Sequence, residues 1–324
     1  MNKIVWSVAG VLVFTLSLIE VSYGIEFTKS GFIQTQFENH DNDNDTFKLL
    51  RARPKLRAAL GEHVVFFVQL DLAYDRILND VWMELDYSSY AKLRVGQFTL
   101  PFGWQTPVSP YNLLTINYSQ VVSKLNGGGD LRDVGMMLNG NFTDSNISVL
   151  ENLNYAVAVV NGEGTGSNIA EKNDQKNVVG RIGFAPLDGL ELGVSGYFGE
   201  RGVARNDRKR VGADVRYTLE NLLVQGEFIQ SNDETVATLN HTVEGMGYFI
   251  EAGYKITPRI QPVCKYDVWD PEVSGTFGSL TKYAIGLNLY IDEWTRLQGI
   301  YEIKTEEENE VDDNSLFIQL GIAF

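Results

Sequence analysis

Beyond residue 24 the chain alternates apolar and polar side chains with a period of two, in runs separated by turn-forming stretches. This is the spacing of β-strands, whose successive side chains point to opposite faces. The clearest apolar rows are Val64, Phe66, Val68, Leu70, Leu72 and Tyr74, then Met246, Tyr248, Ile250, Ala252, Tyr254 and Ile256, then Tyr283, Ile285, Leu287, Leu289 and Ile291. Between them stand Gln69, Asp71 and Ala73, then Gly247, Glu251 and Lys255, then Lys282, Gly286, Asn288 and Asp292. The 3.6-residue period of a helix is missing.

A soluble β-sandwich alternates in the same way. The rhythm of the connections tells the two apart, because an up-and-down membrane barrel has short turns at its periplasmic rim and longer loops outside. Short connections are expected at residues 61–63, 87–90, 143–146, 186–189, 219–221, 257–258 and 292–294. Longer ones fall between them at 39–46, 99–131, 161–176, 199–207, 231–244, 270–279 and 306–314; only the connection at 75–79 is short where a long one is expected. The rhythm predicts an all-β fold: a transmembrane antiparallel barrel of about sixteen strands with both termini on the periplasmic side. Its last strand carries Leu316, Ile318, Leu320, Ile322 and the terminal Phe324 on one face, with Gln319, Gly321 and Ala323 between them. The barrel must close, since an open edge in lipid leaves backbone N–H and C=O groups without partners. Pro54 and Pro262 fall inside predicted strands, and bulges or strand ends are expected there.

The N-terminus reads as a secretory signal. Lys3 is its positive region, residues 4–19 its apolar stretch, and Ser22, Tyr23 and Gly24 its cleavage region. The expected organisation is a signal peptide at 1–24 and a barrel at 25–324, in the outer membrane of a Gram-negative cell. A mean hydropathy of −0.13 excludes a bundle of membrane-spanning helices.

Charge sharpens the picture of the wall. Residues 47–60 read FKLLRARPKLRAAL, with Arg51, Arg53, Lys55 and Arg57 on one face and Leu50, Ala52, Leu56 and Ala58 on the other. A cation facing lipid at the midplane costs about 2–4 kcal/mol, so the basic row must face the lumen. Lys92 and Arg94 fall on the same inward parity. Two readings of the row stay open: a track that attracts anions, or a polar wall neutralised by carboxylates such as Asp71, Glu84 and Asp86. The net charge of −15 is carried largely by the predicted first and last loops, through Glu38, Asp41, Asp43 and Asp45 and through Glu306, Glu307, Glu308, Glu310, Asp312 and Asp313. These carboxylates either bind divalent cations that bridge lipopolysaccharide or solvate the loops.

The connection at 99–131, the third loop, is too long and too apolar for a solvated surface loop; it carries Phe102, Trp104, Leu113, Leu114, Ile116, Val121 and Val122. It is expected to fold into the lumen and form the constriction, with Lys124, Asp130 and Arg132 available to line it.

Other chemistry is sparse. Cys264 is the single cysteine, so no intrachain disulfide forms. His40, His63 and His241 lie far apart in sequence, without metal-ligand spacing. His63 is predicted at a periplasmic turn and the other two in external loops, so no inward-facing histidine is expected to pair with a nucleophilic serine. No catalytic residue, metal or cofactor is therefore expected, and the acidic balance makes nucleic acid an unsuitable partner.

The segments LLRARPKLRAAL, LNDVWMELDY, KLRVGQFTLPFG, RDVGMMLNG and GYFIEAGYKITPRIQPVCKYDVWD resemble the porin O/P family, over nearly the whole chain beyond the signal and most strongly across residues 49–140. The resemblance implies a sixteen-stranded, homotrimeric diffusion channel, and some members select phosphate through arginine ladders and lysine rings. The basic strand matches such a ladder; no lysine ring is matched, since Lys124 stands alone in its loop. The expected function is passive diffusion of small hydrophilic solutes with a mild anion preference. A plugged structural or adhesin barrel, or an outer-membrane barrel enzyme, are the alternatives.

Overall fold

The computed structural model describes residues 25–41, 44–75, 77–125, 132–142, 151–164, 172–235, 241–273, 278–307 and 313–324. The segment at 1–24 that is expected to be a signal peptide lies outside them, as do Asp130, Asp43, Glu308, Glu310 and Asp312. Sixteen strands form one closed antiparallel barrel in which each pairs with its sequence neighbours and the first pairs with the last. They are β1 (Ile25–His40), β2 (Thr46–Leu60), β3 (Val64–Leu70), β4 (Leu78–Leu85), β5 (Lys92–Thr99), β6 (Arg132–Asn141), β7 (Leu153–Val160) and β8 (Asn177–Leu187). The chain continues through β9 (Leu190–Arg201), β10 (Asn206–Leu219), β11 (Leu222–Thr235), β12 (His241–Tyr254), β13 (Ile260–Asp270), β14 (Leu280–Tyr290), β15 (Thr295–Glu306) and β16 (Ser315–Ala323). A 3-10 turn (Pro110–Asn112) and a short helix, α1 (Gln120–Leu125), interrupt the connection between β5 and β6.

The seam is sealed by backbone pairing. Phe32 is in register with Ala323, Gly31 N–H donates to Phe324 O at 2.8 Å, and Phe324 N–H donates to Gly31 O at 3.0 Å. Ala323 N–H also donates to Trp294 O at 2.8 Å, so the C-terminus ends at the rim that holds the β14–β15 turn. Glycine or a capping side chain makes several of the tight turns there. Gly189, at φ 77°, joins β8 to β9, and the Asp292 carboxylate accepts from Trp294 N–H and Thr295 N–H at 2.8 and 2.7 Å. Those two donors hold the Asp292 carboxyl below its ordinary pKa.

Burial follows the period-two pattern. The apolar rows point outward, where Ile250 and Ile285 are exposed, and the polar rows point inward, where Gln34, Gln298 and Gln319 are buried. The inner wall of β13–β16 is a chain of amides: Gln319 Nε2 donates to Gln298 Oε1, Gln298 Nε2 to Asn288 Oδ1, and Asn288 Nδ2 to Gln261 Oε1. Each strand locks its neighbour through a side chain as well as through the ladder.

Three expectations need correction. The long connections at 199–207 and 231–244 are shorter than predicted, because β9, β10, β11 and β12 run on into them; in the polar ends of these strands both faces are hydrophilic and the alternation is invisible. Glu38 and His40 belong to β1 rather than to the first loop, and Glu38 is buried. Neither proline makes a bulge. The β2–β3 ladder stops at Lys55, one residue past Pro54, and the β12–β13 ladder stops at Val263, one residue past Pro262. Each ring therefore sits where its strand has lost one partner and no N–H is required.

The bulge in this part of the wall lies elsewhere. Gln34 pairs with Arg51 but Thr35 pairs with Leu49, so Leu50 is an extra residue. The slip moves Lys48 onto the inward face, where its Nζ meets Glu38 Oε2 at 2.6 Å.

Candidate functional site

The basic wall is built on β2 and continued by β4–β6. Its charges are partly neutralised. Arg53 donates to Asp71 at 2.7 Å, with both side chains largely buried, and Asp71 also accepts from the N–H groups of Ala52 and Ala73. Lys92 pairs with Asp86 and Arg94 with Glu84, each at 2.7 Å. Arg132, expected in the third loop, opens β6 and pairs with Asp80 at 3.1 Å. Further round, Arg181 meets Asp214 through two hydrogen bonds.

The rest of the row is different. Arg51 donates to the neutral Gln34 Oε1 at 3.1 Å, the Lys55 ammonium lies 5.4 Å from the Phe32 ring centroid, and Arg57 is exposed. None of these three has a carboxylate partner among the described residues. The neutralising role considered for Asp71, Glu84 and Asp86 is thus real but selective: one serves Arg53 and the other two serve Arg94 and Lys92.

Facing this wall is the segment between β5 and β6, whose polar contacts lie on the far side of the closed sheet. Gly103 N–H donates to Ser195 Oγ on β9, and Trp104 and Gln105 N–H groups donate to Glu227 on β11. Thr115 Oγ1 donates to Glu251 on β12, while Lys265 on β13 donates to Asn117 O. Gln120 N–H donates to Asp267 on β13, and Arg296 on β15 donates to the carbonyls of Leu113 and Tyr111. Its apolar side chains are covered too. Phe102, Val121 and Val122 cluster with Ile229, Phe249 and Trp269, and Leu114 and Ile116 with Val263, Ile300 and Phe317. Glycine is needed at 103, where φ is +67° and a Cβ would collide with the Glu227 carboxylate.

Two cavities flank this segment. The larger, of about 550 Å³, is lined by Arg53, Lys55, Phe67, Trp82, Arg94 and Tyr118 among others, and reaches toward the short-turn rim at Lys92 and Asn141. The smaller, of about 420 Å³, is lined by Arg51, Tyr118, Lys124, Lys282 and Lys304 and opens toward the long-loop rim at Glu306 and Asp313. Tyr118 lines both, and its hydroxyl donates to Val108 O at 2.7 Å. Of the three residues expected in the third-loop constriction, Lys124 is on α1 beside the outer cavity, Arg132 is on the wall, and Asp130 is outside the described residues.

A model of the phosphate-selective porin O and P family matches residues 23–201, more than half of the chain. The chain belongs to that family. As a member it is an outer-membrane β-barrel of the porin type, and solved porins share its architecture. The anion-selective porin from Comamonas acidovorans superposes with a TM-score of 0.67 at 12% identity, covering 92% of this chain and 99% of that one. The trimer form of OmpT from Vibrio cholerae gives 0.68 at 12% identity over 93% and 99%. Salmonella typhi OmpF, solved with daunomycin, gives 0.69 at 12% identity over 93% and 98%. At such identity these structures speak to the fold. No curated protein matches the sequence.

Several residues of this porin's interior escaped the sequence reading. Phe67, Trp82, Tyr111 and Tyr118 project inward or lie against the inner wall; the signal for the first two was an aromatic on the polar parity of its strand, at odds with its neighbours. Histidine placement also differs from expectation. His40 Nδ1 lies 2.7 Å from Ser315 Oγ and His40 Nε2 lies 3.2 Å from Glu38 Oε2, a serine–histidine–carboxylate array that sequence separation concealed. Ser315 is buried at 1% exposure, its hydroxyl also lies 3.2 Å from Asp313 O, and Glu38 is engaged by Lys48. A nucleophile must reach its substrate, and this serine is covered. Among the described residues no group of three His, Cys, Asp or Glu side chains is arranged to hold a metal.

Proposed function

We propose that this porin is a passive channel for small hydrophilic solutes with a mild preference for anions. The observation that carries the preference is the row of Arg51, Lys55 and Arg57, which lack carboxylate partners among the described residues while Arg53, Lys92 and Arg94 are paired. An uncompensated positive row along a confined aqueous path raises the local concentration of anions. The segment at 100–125 sets the constriction in this reading. Held against β9–β15 by the contacts above, it leaves the basic side of the lumen for passage, where Tyr118 lines both cavities, Arg53 the larger and Arg51 the smaller. Lys124 adds a cation on the outer approach. The acidic loops at the mouth oppose anion entry and keep the preference modest.

The working assembly is proposed to be a homotrimer, in line with the family and with the trimer form of OmpT. Its outward apolar face meets lipid and the outer leaflet lipopolysaccharide. No energy source is needed for diffusion down a gradient. The deciding experiment is single-channel recording in planar bilayers under a salt gradient. A reversal potential on the anion side supports the reading; a cation-selective potential sinks the basic row, and a silent bilayer points to a plugged structural barrel.

A further inference from the structure

The inner wall of a water-filled barrel is expected to be polar, yet on β3 and β4 two aromatic rings occupy inward positions. Phe67 and Trp82 stand directly across from one another in the ladder. Their rings stack with centroids 4.8 Å apart and planes 19° apart. The Arg94 guanidinium lies 3.9 Å from the Trp82 ring centroid and is itself fixed by Glu84, so the platform is held in place before any solute arrives. Gly96 on the next strand, paired with Trp82 at φ +134°, lets the two strands approach closely, since a Cβ there would collide with Val81 O and the Trp82 backbone. Both rings are only partly buried, and both line the larger cavity together with Lys55, which has no carboxylate partner among the described residues. Arg57 is in register with Phe67 on the adjoining strand and is exposed.

A flat apolar surface beside unpaired cations suits a solute that combines a flat apolar ring with a negative charge. A neutral sugar could use the rings but leaves the cations unanswered; a small inorganic anion uses the cations and ignores the rings. We propose that the larger cavity is an affinity subsite for aromatic carboxylates, with the Phe67–Trp82 platform taking the ring and Lys55 taking the carboxylate. This rests on the channel reading above and deepens it.

The test is current block of the reconstituted full-length protein in KCl by benzoate, acetate and glucose, each reported as a fraction of the same channel's own conductance. The wild-type half-blocking concentration for benzoate should be roughly three- to tenfold below that for acetate, the range expected of one ring–ring contact. Phe67→Leu should bring benzoate close to acetate, and Lys55→Gln should weaken both anions alike. Equal block by benzoate and acetate in the wild type overturns the proposal without any variant being needed. So does a Phe67→Leu channel that still favours benzoate, or block by glucose alone. A protein that carries no current at all fails one step earlier, at the channel itself, and takes the subsite with it.

Discussion

Arg53 and Asp71 show how a single pair decides what a charge can do. Asp71 is 1% exposed and accepts from Arg53 and two backbone N–H groups. Removing Arg53 leaves a buried carboxylate without its counter-charge, which costs about 3 kcal/mol. Arg53→Gln should therefore lower the unfolding temperature of the barrel in detergent, followed by its heat-dependent shift in gel mobility, and adding Asp71→Asn should recover most of the loss. The unpaired cations carry the opposite expectation. Arg51→Gln together with Arg57→Gln breaks no ion pair among the described residues, so stability should change little while the reversal potential moves toward the cation side. An unaltered potential in that double variant would remove the basic row from the selectivity argument. The sequence supplied the residue types and their parity on β2; it could not say which cations were answered, because the groups that meet them lie elsewhere, Gln34 and Glu38 on β1 and Asp71 just past β3.

Among the elements, the described residues of the segment between β5 and β6 hold only a 3-10 turn at Pro110–Asn112 and the short α1 as regular structure, and its position comes from contacts with the opposite wall. Glu227 is the chief anchor near its start, accepting from the N–H groups of Trp104 and Gln105. Glu227→Ala leaves those donors unpartnered at about 1–3 kcal/mol, and the segment should loosen. The expected signature is greater open-channel noise than in the wild type, with the barrel still folded. Single-channel traces of unchanged noise would show that the remaining contacts suffice. The length and apolar content of residues 99–131 announced an unusual connection. Its partners, such as Ile229, Ile300 and Phe317, did not announce themselves, because an apolar residue on an inward position looks in sequence like a break in the alternation. The prolines teach the same lesson: each was visible, but only the ends of the neighbouring ladders explain how β2 and β13 accommodate them.

For the molecule as a whole, selectivity set by wall charge must respond to screening. The Debye length falls from about 10 Å at 0.1 M salt to about 3 Å at 1 M, so the anion-to-cation permeability ratio should approach unity across that range of KCl. A ratio that stays constant would point to direct ion binding instead of a diffuse field. The proposed trimer predicts an oligomer about three times the mass of the 36.3 kDa chain, less the proposed signal segment, by light scattering in detergent; a monomeric mass would remove the assembly while leaving each barrel a channel.

The period-two alternation, the turn rhythm and the terminal Leu316 to Phe324 row determined the barrel, its approximate strand number and, away from the β2 bulge, the face that the clearly alternating strands turn to lipid. These are local properties, imposed by a bilayer that admits apolar side chains and no unpaired backbone. The tertiary structure decided what no single strand carries: the bulge that turns Lys48 inward, the meeting of His40 with Ser315, the neutralisation of Arg53 but not of Arg51, Lys55 or Arg57, and the stack of Phe67 on Trp82. Each depends on the register between strands, and register is a relation between distant segments that is fixed only when the sheet closes on itself.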